Sequence, residues 1–137
     1  MSVTATVAST CIVGTSTLAF GSTSSTAILA DNIDAVGAVS VNCTNGSVYT
    51  VALGIGIGAG ATFPIRNMTS GEDVLNYTVY TEAAHTNLWG DGTSGSQTVE
   101  GTGTGLVQSI SAYGRIFSGQ NAPAASYTDT ISVSVSY

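Results

Sequence analysis

The amino-acid sequence predicts an all-β fold in a single domain. Thr, Ser, Val, Ala and Gly dominate the 137 residues, and charged residues make up only 7%, a composition that favours strands and tight turns over helices. No stretch shows sustained helical spacing of apolar residues, whereas roughly six to eight short stretches alternate apolar and polar residues between Gly-, Ser- and Asn-rich turns. A chain of this length is large enough to bury a hydrophobic core.

The charge and the apolar runs exclude several functions. The formal charge is −6, lysine is absent, and the basic side chains are Arg66 and Arg115, so the chain has no basic surface for nucleic acid. Apolar runs are broken by Gly and Ser well before the length of a membrane span, which predicts no membrane insertion. No signal peptide is visible, and Met1 directly before a strand pattern suggests a mature region with an added start codon.

The two ends of the chain carry the clearest strand patterns. In residues 126–137 the apolar residues that share one face are Ile131, Val133, Val135 and Tyr137. Residues 1–7 alternate in the same way, with Met1, Val3, Ala5 and Val7 on one face. This period of two is that of a half-buried strand. Because no later segment follows to pair the last strand, we expect an open edge that can accept another chain.

The only cysteines are Cys11 and Cys43. No cluster of His, Asp or Glu accompanies them, so a single disulfide in an oxidising compartment is favoured over a metal site; two unpaired buried cysteines are the alternative. Cys43 is in phase with Val39 and Val41, and Cys11 is in phase with the N-terminal alternation, so both side chains can reach one core. Closing this loop would contribute roughly 3–4 kcal/mol.

The first half of the domain is predicted to contain three strands. Residues 18–21 (LAFG) form a short strand that ends at a glycine, and residues 22–32 form a polar loop. Residues 35–43 form the next strand. Residues 44–47 (TNGS) are an Asn-Gly turn that favours a hairpin, so Val48–Leu53 is expected to return as the partner of the strand before it.

The second half continues this pattern of short strands. Residues 54–60 (GIGIGAG) are too rich in glycine for a packed strand and form a loop or bulged edge; their spacing does not match a phosphate-binding loop. The further predicted elements are a short strand at 64–68, a turn at 70–73, a strand at 75–81, an irregular stretch at 82–105, a long strand at 106–117 and a loop at 118–125. Together the strands predict an immunoglobulin-like β-sandwich.

Two of the strands have a face that should be buried. The expected inward-facing residues are Tyr49, Val51 and Leu53 in the strand after the Asn-Gly turn, and Leu75, Tyr77 and Val79 in the strand at 75–81. These residues alternate with polar or small ones, which is typical of a strand with one face in the core.

No group of residues in the sequence predicts catalysis. His85 lacks the signal of a paired nucleophile, so we expect a surface histidine. The carboxylates considered as acid–base candidates are Glu72 and Asp73, adjacent in a turn, and a glycosidase-type pair drawn from Glu82, Asp91 and Glu100. Nothing selects one pair over another, and we expect no enzyme activity, no cofactor and no metal ion.

The single tryptophan, Trp89, has two interpretations. Within its Gly-rich surroundings it could stack on a sugar ring, which would make it a glycan contact. The favoured interpretation is that it closes one end of the sandwich.

An ordered set of short motifs identifies a resemblance to a known family. In chain order the motifs are Cys11, residues 18–21 (LAFG), 41–43 (VNC), 66–68 (RNM), 75–77 (LNY), 89–93 (WGDGT), 113–116 (YGRI), Gln120 and 127–129 (YTD), followed by the final alternating strand. This order resembles the spore coat protein U domain family, which includes the pilins of archaic chaperone–usher pili. The resemblance covers nearly the whole chain.

The resemblance implies an incomplete immunoglobulin-like β-sandwich that is completed by a donor strand from another subunit. Residues 1–10 would then be the N-terminal donor strand, and residues 11–137 the pilin domain. The donated side chains would be Val3, Ala5 and Val7, and the acceptor groove, which a chaperone also contacts, would be bordered by Ile131, Val133, Val135 and Tyr137. This arrangement is a form of β-strand addition.

The implied function is that of a structural subunit of a bacterial surface pilus. Its expected partners are identical or related pilin subunits joined head to tail, a periplasmic chaperone and an outer-membrane usher. A head-to-tail contact of this kind does not close on itself and therefore grows a fibre. The expected location is the outside of the cell, reached through the periplasm.

Two alternatives remain open at this point. A carbohydrate-binding tip adhesin requires Trp89 to be exposed. A self-complemented spore coat protein requires the N-terminal arm to occupy the groove of its own chain.

Overall fold

A computed structural model describes all 137 residues as a two-sheet, nearly all-β sandwich, which confirms the predicted fold class. The strands are β1 (Cys11–Val13), β2 (Ile33–Cys43), β3 (Val48–Leu53), β4 (Arg66–Ser70), β5 (Asp73–Tyr80), β6 (Val99–Thr102), β7 (Val107–Ile116) and β8 (Val133–Ser136), and the helix is α1 (Ser25–Ala30). One sheet has the order β1-β2-β7-β5-β4 and the other has the order β6-β3-β8. All strand pairs are antiparallel.

The core lies between the two sheets, and the predicted faces of β3 and β5 form much of it. The buried side chains of these strands are Tyr49, Val51, Leu53, Leu75, Tyr77 and Val79, so both predicted inward faces are confirmed. Their partners across the core include Val39 and Val41 of β2 and Ile116 of β7. Each fully buried apolar side chain of this size contributes roughly 1.5–3 kcal/mol.

The Asn-Gly turn is present, but the predicted hairpin is wrong. The Ser47 amide donates to the Thr44 carbonyl at 3.0 Å, and Gly46 adopts φ +80°, as the turn requires. However, β3 pairs with β6 and β8 instead of β2. Both edges of β2 are already paired, to β1 and β7, so the turn carries the chain from one sheet to the other.

The predicted turn at 70–73 is confirmed as a tight hairpin between β4 and β5. Ser70 and Asp73 are paired, with a two-residue connection in which Gly71 has φ +62°. The strand predicted at 64–68 lies two residues later, because β4 covers Arg66–Ser70. The long strand predicted at 106–117 is β7, and the stretch predicted as irregular contains the short strand β6.

The strand predicted at residues 18–21 is wrong. In this region only Thr17 makes a bridge, to Ala38. Leu18 and Phe20 lie on the inner face of the large sheet. A Cβ atom at Gly114 would collide with both of these side chains, and one at Gly37 would collide with Thr17 and Leu18. The segment is therefore held by side-chain packing in place of a strand ladder.

The loop predicted at residues 22–32 contains the helix α1. Ser24 is its N-cap, and the hydroxyl of Ser24 accepts a hydrogen bond from the Ala27 amide at 3.2 Å. Ile28 is the one buried residue of the helix. With six residues, α1 is too short to show a helical period in the sequence.

The predicted disulfide between Cys11 and Cys43 is present. It joins β1 to the end of β2, where the two cysteines are paired in register. Residues 1–10 belong to neither sheet, so the N-terminal alternating segment is not a strand of this chain's own sandwich.

Candidate functional site

The small sheet ends in a strand with a free edge. β8 pairs only with β3, in the register Leu53 to Val133 and Val51 to Val135. The Gly54 amide donates to the Ser132 carbonyl at 2.9 Å. Because hydrogen-bonded and non-bonded pairs alternate along an antiparallel ladder, the main-chain groups of Val133 and Val135 point away from β3, towards the free edge.

The apolar side chains of residues 131–135 face the core. Ile131, Val133 and Val135 are half-buried against the core cluster, whereas Tyr137 is 62% exposed beyond the end of β8. An incoming strand on this edge would therefore meet unpaired main-chain groups and apolar side chains together. This is the combination that β-strand addition uses.

An open cleft lies between this edge and the start of the large sheet. Its volume is about 1100 Å³, with residues 16–26 along one side, residues 122–131 and Val133 along the other, and a floor of core side chains that includes Val39, Leu75 and Val79. The main chain of residues 18–23 makes no hydrogen bond within the chain. β1 and β8 also lie in contact with each other.

The N-terminal arm, residues 1–8, does not occupy the cleft. Met1, Val3 and Val7 are fully or almost fully exposed, at 118%, 85% and 87% of their reference areas. The chain is first anchored at Ser9, whose hydroxyl bonds that of Ser47, and at Thr10, which pairs with Thr44. The arm thus leaves the domain at the disulfide and is free for contacts outside its own chain.

In the lining of the cleft, one carboxylate joins three parts of the molecule. Asp129 accepts hydrogen bonds from the Tyr77 hydroxyl at 2.6 Å, the Ile57 amide at 2.9 Å and the Thr130 amide at 2.8 Å. Burial raises the pKa of Tyr77, and the bond to Asp129 raises it further, so Tyr77 stays a neutral donor.

A buried arginine fixes the neighbouring corner of the sandwich. The Arg66 guanidinium is fully buried and donates to the carbonyl of Gly54 at 3.0 and 2.9 Å, to that of Trp89 at 2.6 Å and to the Thr78 hydroxyl at 3.2 Å. Burial lowers the pKa of Arg66. The sequence analysis missed this role. The signal that was available is that Arg66, one of only two basic residues in the chain, lies inside a predicted strand.

The structure corrects the possible glycan contact at Trp89. Its side chain is completely buried, and its indole Nε1 donates to the Val51 carbonyl at 3.1 Å. A buried indole presents no face on which a sugar could stack. Trp89 instead packs within the core cluster.

The predicted surface position of His85 is also wrong. Its side chain is only 10% exposed and packs edge-to-face on Tyr80 and Tyr113, with ring centroids 5.2 and 6.4 Å apart. Its Nε2 lies 3.8 Å from Asp34, which is paired with Arg115 at 2.7 and 2.8 Å. His85 therefore holds its loop on the outer face of the large sheet.

Two of the acid–base candidates are used within their own loops. The Glu82 carboxylate accepts bonds from Thr81, Thr86 and the Asn87 amide, and Asp91 accepts two from Thr93. Burial raises the pKa of Glu82, but these bonds outweigh it and lower the pKa to about 2. No group of three or more His, Cys, Asp or Glu side chains is arranged to hold a metal ion.

No helix in the structure has the length and apolar character needed to cross a membrane.

The fold is similar to that of a chaperone–usher pilus subunit. A similar chain occurs in the crystal structure of the CsuC–CsuE chaperone–tip adhesion subunit pre-assembly complex, from the archaic chaperone-usher Csu pili of Acinetobacter baumannii. The TM-score is 0.67, at 19% identity over 96% of this chain and 40% of the other.

Comparison of the sequence identifies the family of the chain. The Spore Coat Protein U domain model matches residues 1–134, and the chain belongs to that family, which confirms the resemblance seen in its motifs. It is also 33% identical, over 107 residues, to "Protein U" of Myxococcus xanthus; the match covers 74% of this chain and 59% of that protein's length.

Proposed function

We propose that this chain is a structural subunit of a bacterial surface fibre that polymerises head to tail by donor-strand complementation. The observation that carries the proposal is the cleft beside β8, which lies open although the same chain has an alternating apolar arm free in solvent. In the proposed assembly, Val3, Ala5 and Val7 of one subunit enter the cleft of the next. There they lie along the edge formed by Ile131, Val133, Val135 and Tyr137.

The dimensions of arm and edge agree. Residues 1–7 and residues 131–137 each span about 23 Å as extended strands. The arm is therefore long enough to span residues 131–137.

The energetics require both apolar burial and main-chain pairing. Burying Val3 and Val7, which start almost fully exposed, would contribute roughly 1.5–3 kcal/mol each. Ordering the backbone of seven residues costs about 1–2 kcal/mol per residue, which exceeds that gain. The difference must come from hydrogen bonds to the free edge and from covering the half-buried apolar walls of the cleft, including Leu18 and Phe20.

The open cleft also suggests how assembly is controlled. A free subunit exposes an apolar groove and an unpaired strand edge, which are prone to non-specific association. We propose that a periplasmic chaperone covers this edge first and that an outer-membrane usher directs its exchange for the arm of another subunit. The fibre would then be on the cell surface.

The two alternatives lose their main support. The tip-adhesin interpretation depended on an exposed Trp89, which is buried. Self-complementation required the arm in its own cleft, whereas residues 1–8 project from the domain. The proposed role is structural, with no catalytic step.

The proposal is tested by placing charge on one face of the arm. The double substitution Val3→Asp and Val7→Asp should abolish fibres, because it would bury two carboxylates in the apolar cleft. Thr4→Asp with Thr6→Asp is the matched control, since it adds the same charge on the face that points out of the cleft. Fibre formation is followed by light scattering and negative-stain microscopy. Equal fibre yield from the two variants would contradict the proposal.

A further inference from the structure

We propose that Asp129 is the positioning residue of the accepting edge: it holds the segment leading into β8 in place, so that the free edge of β8 stays available to an incoming strand. This inference rests on the proposed function. Asp129 lies before the first residue of β8 and is not one of the residues expected to border the acceptor groove.

The first argument is the path of the chain at this point. Thr128 exchanges two main-chain hydrogen bonds with Thr69 of β4, at 2.9 and 3.1 Å, so it belongs to the large sheet. Ser132 bonds to Gly54, at the end of β3, and so belongs to the small sheet. The chain therefore crosses from one sheet to the other between these residues, and Asp129 lies at the crossing.

The second argument is that the Asp129 side chain supplies the ties that the crossing lacks. The main chain of residues 129–131 makes no hydrogen bond to another main-chain group. The carboxylate replaces these bonds by binding Tyr77 in the cleft floor, Ile57 in the glycine-rich loop and its own neighbour Thr130. Because these three hydrogen bonds converge on one side chain, that side chain can fix the angle at which β8 begins.

The third argument is the fit of the glycine-rich loop around the carboxylate. Gly56 adopts φ +91°, and a Cβ atom at this position would collide with the Asp129 carboxylate. Gly54 is packed in the same way against the Ser132 side chain. Gly54 and Gly56 of this loop therefore pack closely on the segment that leads into β8, whereas Gly58 packs on Asn67 of β4.

The experiment measures acceptance of the arm directly. The acceptor is the full chain carrying Val3→Asp and Val7→Asp, so that its own arm does not compete. The probe is a fluorescent peptide of residues 1–10, and binding is followed by anisotropy. Asp129→Asn is compared with Asp91→Asn, which removes an equally charged carboxylate that bonds only within its own turn.

We expect Asp129→Asn to weaken peptide binding by about tenfold or more and Asp91→Asn to change it by less than about twofold. Hydrogen exchange of the same proteins without peptide provides the second readout: the Ser134 amide should exchange faster in Asp129→Asn, while amides in the β2–β7 ladder should not change. If Asp129 only stabilises the fold, Asp129→Asn will lower the unfolding temperature and leave both peptide binding and the exchange of the Ser134 amide unchanged. That result would overturn the inference.

The two proposals fail in different ways. If the Asp91→Asn acceptor does not bind the peptide at all, donor-strand acceptance is wrong. The exchange of Ser134 still decides whether Asp129 positions the edge, because that measurement needs no peptide.

Discussion

The two arginines provide a matched test of what holds the sandwich together. Arg66 is buried and donates to the carbonyls of Gly54 and Trp89 and to Thr78, whereas Arg115 forms a surface pair with Asp34. Both are replaced by methionine, which keeps a similar length and removes the charge. The two variants therefore change the net charge equally and differ in burial.

The expected costs differ because of what each substitution leaves behind. Arg66→Met leaves the buried carbonyl of Trp89 and the half-buried carbonyl of Gly54 without this donor, at roughly 1–3 kcal/mol each, for a total of about 3–5 kcal/mol. Arg115→Met removes an exposed pair that contributes about 0–1 kcal/mol. Arg66→Lys should also be destabilising, because an ammonium cannot reproduce the planar fork of bonds.

The free energy of unfolding is measured in urea by the fluorescence of Trp89, which is the only tryptophan and is fully buried. The disulfide is kept intact in all samples. A difference of less than about 1 kcal/mol between Arg66→Met and Arg115→Met would refute the reasoning, because it would mean that the two carbonyls gain nothing from the guanidinium.

Three further predictions follow from local geometry. Gly56→Ala should destabilise the fold by roughly 1–2 kcal/mol more than Gly60→Ala in urea unfolding, because both residues have positive φ but only Gly56 faces a filled space. The pKa of Glu82 is lowered to about 2 from an ordinary 4.5, so it stabilises the fold above pH 4.5 and this contribution is lost as the pH falls towards 2; Glu82→Gln should flatten the fall in melting temperature across that range, and an unchanged fall would contradict it. Replacing Cys11 and Cys43 by alanine should cost about 3–4 kcal/mol, and a cost under about 1 kcal/mol in denaturant titration would show that the cross-link barely constrains the unfolded chain.

The strand faces could be predicted from the sequence because they are local. Alternation in β3 and β5 identified Tyr49, Val51, Leu75 and Val79 as core residues, and all are buried. The pairing of strands could not be predicted in the same way. The Asn-Gly turn fixed the reversal at Gly46, but the partner of β3 depends on which edges distant strands have already filled.

The location of the candidate site could be predicted from the sequence, but the residues that hold it in place could not. The alternation at both chain ends indicated a strand edge and an arm. In the structure, β8 is an edge strand beside an open cleft, and the apolar side chains of the arm are exposed. The roles of Arg66 and Asp129 depend on contacts between residues far apart in the chain, and no local pattern encodes such contacts. The burial of His85 has the same origin, because the tyrosines that cover it come from β5 and β7.

The most direct test of the central claim is to mix a subunit that cannot donate with one that cannot accept. The first carries Val3→Asp and Val7→Asp. The second carries Val133→Pro, which removes an amide on the free edge of β8 and leaves the bonds to β3 in place. Size-exclusion chromatography with light scattering should show monomers for each alone and a one-to-one dimer for the mixture, while the unaltered chain forms long polymers. Polymers from either variant alone, or a mixture that stays monomeric, would contradict completion of the sandwich by a neighbour's arm.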